Sequence, residues 1–175
     1  MKILDLGCGN NKYKSKKDMV IGIDNVKLKN VDVIHDLNKF PYPFKKNEFD
    51  LIYTSHTLEH LDNLDKVFQE LIRIIKPRGR ILIRVPHFSC GVSYRDPTHK
   101  RLFSYFTFDY FTDECFYTKS KFKIIKRRLN FTRQALTFLN YIFNPIINIS
   151  PLLYERFFCW ILPCAEVIAE LEVKK

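Results

Sequence analysis

The chain has no C-x-x-C pair, and its five cysteines, Cys8, Cys90, Cys115, Cys159 and Cys164, are an odd number. That argues against a disulfide framework and a zinc ribbon and predicts a reducing, cytoplasmic setting. No unbroken apolar run is long enough to span a bilayer. The most apolar stretch, Ala135 to Leu153, is interrupted by Asn140, Asn144, Pro145, Asn148 and Pro151, short of the roughly 20 residues a span needs. A peripheral membrane contact by this stretch stays open. No charged leader stands before Met1-Lys2-Ile3-Leu4-Asp5, so secretion is not expected. Internal repeats and low-complexity tracts are absent.

What is present fits one globular domain. The 175 residues are 46% hydrophobic and 27% charged, enough apolar material for a core and too little charge for a disordered chain. The net charge of +10 is spread: an excess of five basic residues lies up to Thr98 and another five after it. Such a spread excess suits phosphorylated substrates, nucleic acid or anionic lipid about equally. Sixteen Phe and nine Tyr exceed what a small core requires, and part of them is expected on a pocket or contact surface.

Short β-branched runs recur at Lys2–Leu6, Val20–Asp24, Val31–His35, Phe49–Thr54 and Arg80–Val85. Their nearly continuous apolar character predicts parallel strands covered on both faces. Asn63–Ile75 repeats Leu64, Val67, Phe68, Leu71, Ile72 and Ile75 at helical spacing and runs into Lys76-Pro77-Arg78-Gly79, read as a stop. The order strand, helix, strand is a βαβ unit. Phe88–Phe106 reads as a long functional loop, and Thr107 as the cap of a following helix. Phe122–Leu129 and Val167–Val173 read as further strands. Between them, about 132–163 reads as a helical insert packed over the site, within a single domain spanning 1–175.

The first strand ends in Leu4-Asp5-Leu6-Gly7-Cys8-Gly9-Asn10-Asn11, and two glycines let the backbone turn tightly and approach a ligand. A lone G-x-G is weak evidence. Asp24 ends the second strand, where a carboxylate can accept hydrogen bonds from two ribose hydroxyls, and Asp36 follows the third, placed to read an adenine amino group. Three successive acidic strand ends predict a nucleoside site. A dinucleotide fold prefers a third glycine, where Asn11 stands, and a helix N-terminus for the pyrophosphate; a G-x-x-x-x-G-K loop is also missing. Asp5 beside the glycines repels pyrophosphate and suits an ammonium, which points to S-adenosyl-L-methionine as the cofactor.

These segments together, LDLGCGNNK at Leu4–Lys12, GID at Gly22–Asp24, HDL at His35–Leu37, FDLIYTSHTLEHL at Phe49–Leu61 and LIRIIKPRGRILIRVP at Leu71–Pro86, resemble the class I S-adenosylmethionine-dependent methyltransferases of the small methyltransferase-domain type. The resemblance covers the first half of the chain. It implies an α/β, doubly wound Rossmann-like sheet of seven strands in order 3-2-1-4-5-7-6, strand 7 antiparallel, with helices on both faces. It also implies backbone contacts to the cofactor from Gly7, Cys8 and Gly9, a ribose contact from Asp24 with Asn25 beside it, and adenine contacts from Asp36 and Leu37. Ser55 and His56 would form the edge after strand 4. The sequence departs from the family at Asn11 and in having no helix before the first strand.

His56-Thr57-Leu58-Glu59-His60 matches the inverted zinc-protease pattern H-x-x-E-H. That metal site needs a continuous helix and a third ligand on another. Here the string follows a strand end and precedes Asp62, read as a helix cap, and a similar run is ordinary after strand 4 in the family, so no metal is expected.

On the acceptor side stand His87, just past strand 5, and Tyr94–Arg101. His99 is the candidate general base, with Asp96 three residues earlier as its orienting carboxylate. Arg95, Lys100 and Arg101 favour an anionic acceptor, and the aromatic segment and insert favour a partly apolar one. The expected reaction is methyl transfer to an oxygen or nitrogen of a small molecule or glycan-like metabolite. An RNA or protein acceptor is the alternative, weakened by the absence of an N/D-P-P-Y signature after strand 4. The oligomeric state is not set by these features.

Overall fold

The computed structural model describes residues 1–113 and 115–175. Seven strands form one sheet: β1 (Lys2–Leu6), β2 (Met19–Asp24), β3 (Val33–Ile34), β4 (Phe49–Ser55), β5 (Ile75–Pro86), β6 (Phe122–Asn130) and β7 (Glu166–Val173). Their order is β3-β2-β1-β4-β5-β7-β6. The first five pair in parallel, and β7 runs antiparallel between β5 and β6. This is the order that the resemblance implies. β1 lies centrally, with Ile3, Leu4 and Leu6 buried, because a strand covered on both faces needs apolar residues at consecutive positions. β3 is shorter than the Val31–His35 run, since only Val33 and Ile34 find partners, on Ile23 and Asp24.

The crossovers joining β1, β2, β3 and β4 are loops, so their carboxyl ends stay open to ligands. Between β4 and β5 runs α1 (Leu64–Ile74), whose Leu64, Val67, Phe68, Leu71 and Ile74 are buried at helical spacing. Its cap is Asn63, whose Oδ1 accepts from the Lys66 N–H at 3.0 Å. Asp62, expected in that role, pairs instead with Lys100. The Lys76–Gly79 segment does not separate helix from strand. Ile75, directly after α1, already pairs with Phe49, and the ladder resumes at Arg80 opposite Leu51. Arg78 takes a left-handed backbone to absorb the irregularity.

One expectation beyond β5 is corrected. Thr107 does not cap a helix: it lies inside the 3-10 turn Thr107–Phe111, and its hydroxyl accepts from the Ser104 N–H. The insert is helical and lies along β6. It holds α2 (Asn140–Ile147) and a helical stretch from Pro151 to Phe158, and α2 packs along β6. Asn140, Asn144 and Asn148, one turn apart, lie along one face of this helix and accept from the N–H groups of Thr132, Phe131 and Leu129 at 2.7–2.9 Å. β6 is an edge strand, and such strands leave a row of unpaired N–H and C=O groups. The asparagine row satisfies the carboxyl end of that edge, at Leu129, and the two residues Phe131 and Thr132 beyond it. Tyr141, Ile149, Trp160 and Ile161 project into solvent.

Candidate functional site

A cavity of about 480 Å³ opens at the carboxyl ends of the parallel strands, within the range of small-ligand sites. Gly7 and Gly9 line it from the turn after β1, Asp24 and Asn25 from the end of β2, and Asp36, Leu37 and Asn38 from the loop after β3. His56, Thr57, His60 and Leu61 come from the segment after β4, and Thr98 from the loop after β5. A larger cavity of about 790 Å³ lies beside it, from Asp62 to Cys115, away from the glycine turn and the acids of β2 and β3.

The glycine turn is shaped by two positive φ angles, +72° at Gly7 and +50° at Gly9. The N–H groups of Gly7 and Cys8 both donate to Ile23 O, at 2.9 and 3.2 Å, which bends the chain back over β2. A Cβ on Gly7 would lie 2.2 Å from Thr57 Oγ1, whereas a Cβ on Gly9 would meet nothing within 4 Å. Gly7 is therefore needed for packing and Gly9 for open space in the cavity wall. Thr57 Oγ1 donates to Leu6 O at 3.1 Å, latching the segment after β4 onto the turn.

The acids at the strand ends differ in environment. Asp24 Oδ2 accepts from the Gly9 N–H at 2.9 Å and Oδ1 from the Val26 N–H at 3.2 Å. Asp36 Oδ1 accepts from the Asn38 N–H at 3.0 Å, and its side chain is 42% exposed. Asp5 is 2% exposed, outside the cavity wall, and accepts from the Tyr13 N–H at 2.6 Å. Burial pushes its carboxyl up to about 6, against the pull of Tyr13 N–H and Lys12. Asp5 thus orders the segment behind the turn. Cys8 also lies outside the wall, its Sγ turned towards Asn30 O. Burial and the nearby Asp5 and Asp24 push its thiol up to about 11, which makes it an inert filler. Ser55 ends β4 without reaching the cavity.

His56, at a positive φ of 55°, sits between two carboxylates. Its Nδ1 is 3.4 Å from Glu59 Oε1 and its Nε2 3.4 Å from Glu166 Oε2. Burial opposes the charged ring, but Glu166 and Glu59 outweigh it and raise the His56 pKa above the ordinary histidine value. Glu166, wholly buried, is also paired with Arg84 and bonded to Asn130 Nδ2 at 2.8 Å. Burial pushes its carboxyl up, yet bonds from His56, Arg84 and Asn130 pull it down to about 2.

The three acceptor-side candidates do not form one group. His87 is fully buried outside the cavity, with Nδ1 2.8 Å from Ser89 Oγ and Nε2 3.0 Å from Glu155 Oε1. Glu155 also accepts from Ser104 Oγ, so His87 ties the insert to the end of β5. Asp96 does not orient His99 through a hydrogen bond: Asp96 Oδ2 is 3.8 Å from His99 Nε2, and its other oxygen is taken by the Thr98 hydroxyl at 2.7 Å. His99 is held instead by Ser93 O, 3.1 Å from Nδ1. The expected site set omits Asn38, Thr57, His60, Leu61 and Thr98; the dense His56–Leu61 run was the signal for three of them.

A mixed sheet in this order, with a glycine turn on its first strand and acids ending its second and following its third, has the fold of the class I methyltransferases. The family model described as "Methyltransferase domain" matches residues 4–83. Across 98% of the chain, the fold superposes on 85% of a SAM-dependent methyltransferase from Archaeoglobus fulgidus, with a TM-score of 0.69 and 20% identity. A SAM-dependent methyltransferase from Aquifex aeolicus matches 99% of this chain and 82% of its own, with a TM-score of 0.60 and 17% identity. The ubiquinone/menaquinone biosynthesis C-methyltransferase UbiE of Haemophilus ducreyi is 26% identical over 47% of this chain and 40% of its own length. The sterol 4-C-methyltransferase strm-1 of Caenorhabditis elegans is 39% identical over 23% of this chain and 12% of its own. The chain thus spans about 40% or less of these curated relatives. The match to the methyltransferase-domain model covers a little under half of the chain, the fold is the one these S-adenosylmethionine-dependent methyltransferases share, and the ligand this implies is S-adenosylmethionine. The site fits this molecule: Gly9 leaves open space where a side chain would stand, and two carboxylates suited to a nucleoside line the wall. Among the described residues, no helix is long and apolar enough to cross a membrane.

Proposed function

We propose that the chain transfers a methyl group from S-adenosylmethionine to an oxygen or nitrogen of a small molecule or glycan-like metabolite. The observation that carries this reading is the cavity wall itself. Gly7, Gly9, Asp24, Asp36 and Leu37 meet there from three strand ends, and imidazoles close the opposite side. In this reading Asp24 accepts from the ribose hydroxyls, Asp36 and Leu37 meet the adenine, and the glycine turn lies against the rest of the cofactor. The bound cofactor supplies an electrophilic methyl group on a sulfonium. The chain's own residues then align the acceptor, exclude water and take up its proton. His56 is the imidazole in the wall best suited to receive that proton, because Glu59 and Glu166 favour its charged form. His87 and His99, outside the wall, act through structure.

A second reading is methylation at carbon of an apolar acceptor. It is supported by the names of the relatives above and by an apolar cavity of about 540 Å³ on the insert, lined by Ile146, Ile147, Leu153, Tyr154 and Phe158 among others. The same surface suits peripheral contact with a membrane. Incubation with methyl-labelled cofactor and a metabolite extract, followed by mass spectrometry, tests both. Label on oxygen or nitrogen supports the first reading and label on carbon the second. Label found only in RNA or protein, with steeply salt-dependent binding, overturns both.

A further inference from the structure

Glu59 sits in the 3-10 turn Leu58–His60, just after β4. Its side chain is 0% exposed and neither carboxylate oxygen makes a hydrogen bond among the described residues, although His56 Nδ1 lies 3.4 Å from Oε1. A buried carboxylate left in this way costs several kcal/mol unless a cation or proton meets it. The loop after β5 is fastened over it, because the Lys100 N–H donates to Glu59 O at 2.8 Å. That bond brings in His99, whose side chain is 6% exposed and whose Nε2 lies 4.0 Å from Glu59 Oε1. His60 completes the group. One nitrogen from each ring and a carboxylate oxygen of Glu59 lie within 4.8 Å of one another.

Hydrogen-bond chemistry sets where the protons are. His99 Nδ1 faces Ser93 O at 3.1 Å. A carbonyl only accepts, so Nδ1 carries a proton, and Nε2 is the nitrogen turned to Glu59 Oε1 at 4.0 Å and Asp96 Oδ2 at 3.8 Å. His60 Nδ1 faces Thr98 Oγ1 at 2.9 Å, and the single hydroxyl proton of Thr98 goes to Asp96 Oδ1 at 2.7 Å. The hydroxyl therefore accepts from His60 Nδ1, which leaves Nε2 as the ring nitrogen that this contact does not hold. Two imidazoles thus face a buried carboxylate whose other neighbour is His56 Nδ1, 3.4 Å from Glu59 Oε1. Oriented imidazoles with their second nitrogens held by oxygen are the outer arrangement of metal-ligating histidines.

We infer that Glu59, His60 and His99 bind one divalent first-row transition-metal ion such as Zn²⁺. The donor set, two imidazole nitrogens and one carboxylate oxygen, suits such an ion and leaves coordination positions for water or an acceptor oxygen. The site differs from the inverted zinc-protease pattern. His56 stays at the strand end, engaged by Glu59 and Glu166, and the third ligand comes from the loop after β5. His60 also lines the cofactor cavity, so the ion lies at the rim of that cavity.

The test is calorimetric titration of Zn²⁺ into the full chain after dialysis against a chelator, with Co²⁺ visible spectra in parallel. One saturable ion per chain is expected, with Co²⁺ bands of nitrogen and oxygen ligation. His99→Ala and Glu59→Gln should each weaken binding by more than about 100-fold. Thr98→Val, at an exposed position outside the proposed ligand set whose hydroxyl holds the His60 ring and Asp96, should weaken it about 10-fold to 100-fold. Thermal melts identify any variant that fails to fold, and Thr98→Val and Glu59→Gln decide the matter if His99→Ala does. Absence of saturable binding, or affinity unchanged in Glu59→Gln and Thr98→Val, overturns the site. S-adenosylmethionine affinity is measured in the same samples, so its persistence alongside failed metal binding refutes the metal site alone.

Discussion

The backbone N–H of Gly9 donates to Asp24 Oδ2 at 2.9 Å, so the turn after β1 and the acid that ends β2 are one unit. The bond holds the turn open on its cavity side, where a Cβ on Gly9 would meet no atom within 4 Å. It also fixes the carboxylate at the rim. Ligand binding and turn geometry are consequently coupled at this pair.

Asp24→Asn keeps the shape of the side chain and one acceptor oxygen but removes the charge. S-adenosylmethionine affinity should fall about 10-fold to 100-fold, the loss expected for charge-assisted hydrogen bonds, while the melting temperature changes little. Isothermal calorimetry measures the first and circular dichroism the second. Wild-type affinity would remove Asp24 from the cofactor contacts.

The two glycines of the turn should respond differently to alanine. At Gly7 the new Cβ would collide with Thr57 Oγ1, and the left-handed backbone adds strain, for a loss of about 2–3 kcal/mol in chemical denaturation. At Gly9 only the backbone term applies, about 1 kcal/mol, but the methyl group enters the cavity. Gly9→Ala should therefore lose cofactor affinity out of proportion to its stability. Equal stability losses in the two variants would contradict this division.

Glu166 gives the fold a defined acid sensitivity. Its folded pKa of about 2 lies below the ordinary 4.5, so the stabilisation it contributes is present above pH 4.5 and is lost as the pH falls towards 2. Glu166→Gln leaves Arg84 without its buried partner and should cost about 3 kcal/mol at pH 7. The variant should also show a shallower loss of stability between pH 4.5 and 2. Parallel urea midpoints for the two proteins across that range would refute the assignment.

Asp5 works with the opposite sign. Its folded pKa of about 6 lies above the ordinary 3.8, so its contribution is most favourable below pH 3.8 and declines as the pH rises through 6. Asp5→Asn can still accept from the Tyr13 N–H and escapes this penalty. It should be more stable than the wild type at pH 7, with the advantage vanishing below about pH 4. Melting curves at pH 4 and pH 7 provide the check.

The asparagine row along β6 should matter more than its partial exposure suggests. Asn144→Ala removes the acceptor for the Phe131 N–H and the donor to Asn130 Oδ1. A loss of about 1–3 kcal/mol is expected, with faster amide exchange at Phe131. Unchanged exchange there would mean that solvent satisfies the edge equally well.

Legibility in the sequence followed the range of the interactions. The ends of β1, β2 and β4 lie within a residue of expectation, because continuous apolar runs and the polar residues that end them are local properties. The periodicity of α1 is equally local, and its cap was misplaced by one position because Asp62 and Asn63 are both competent. The turn at Gly7 and Gly9 could be read because only a residue without Cβ suits those φ angles. The packing of the insert was not legible for a physical reason: its asparagines, which interrupt an apolar stretch, bond the backbone at the end of β6 and just beyond it. His87 likewise found its partner 68 positions away, in Glu155.

By itself, then, the chain determined which segments become strands, where they stop and which acids stand at their ends, because strand burial and glycine turns depend on near neighbours in sequence. Only the tertiary structure decided which of those side chains share a cavity. Asp5 turned inward and Asp24 outward although both lie at strand ends. Glu59, His60 and His99 met because the Lys100 N–H reaches the carbonyl of Glu59, a contact between loops that no periodicity encodes.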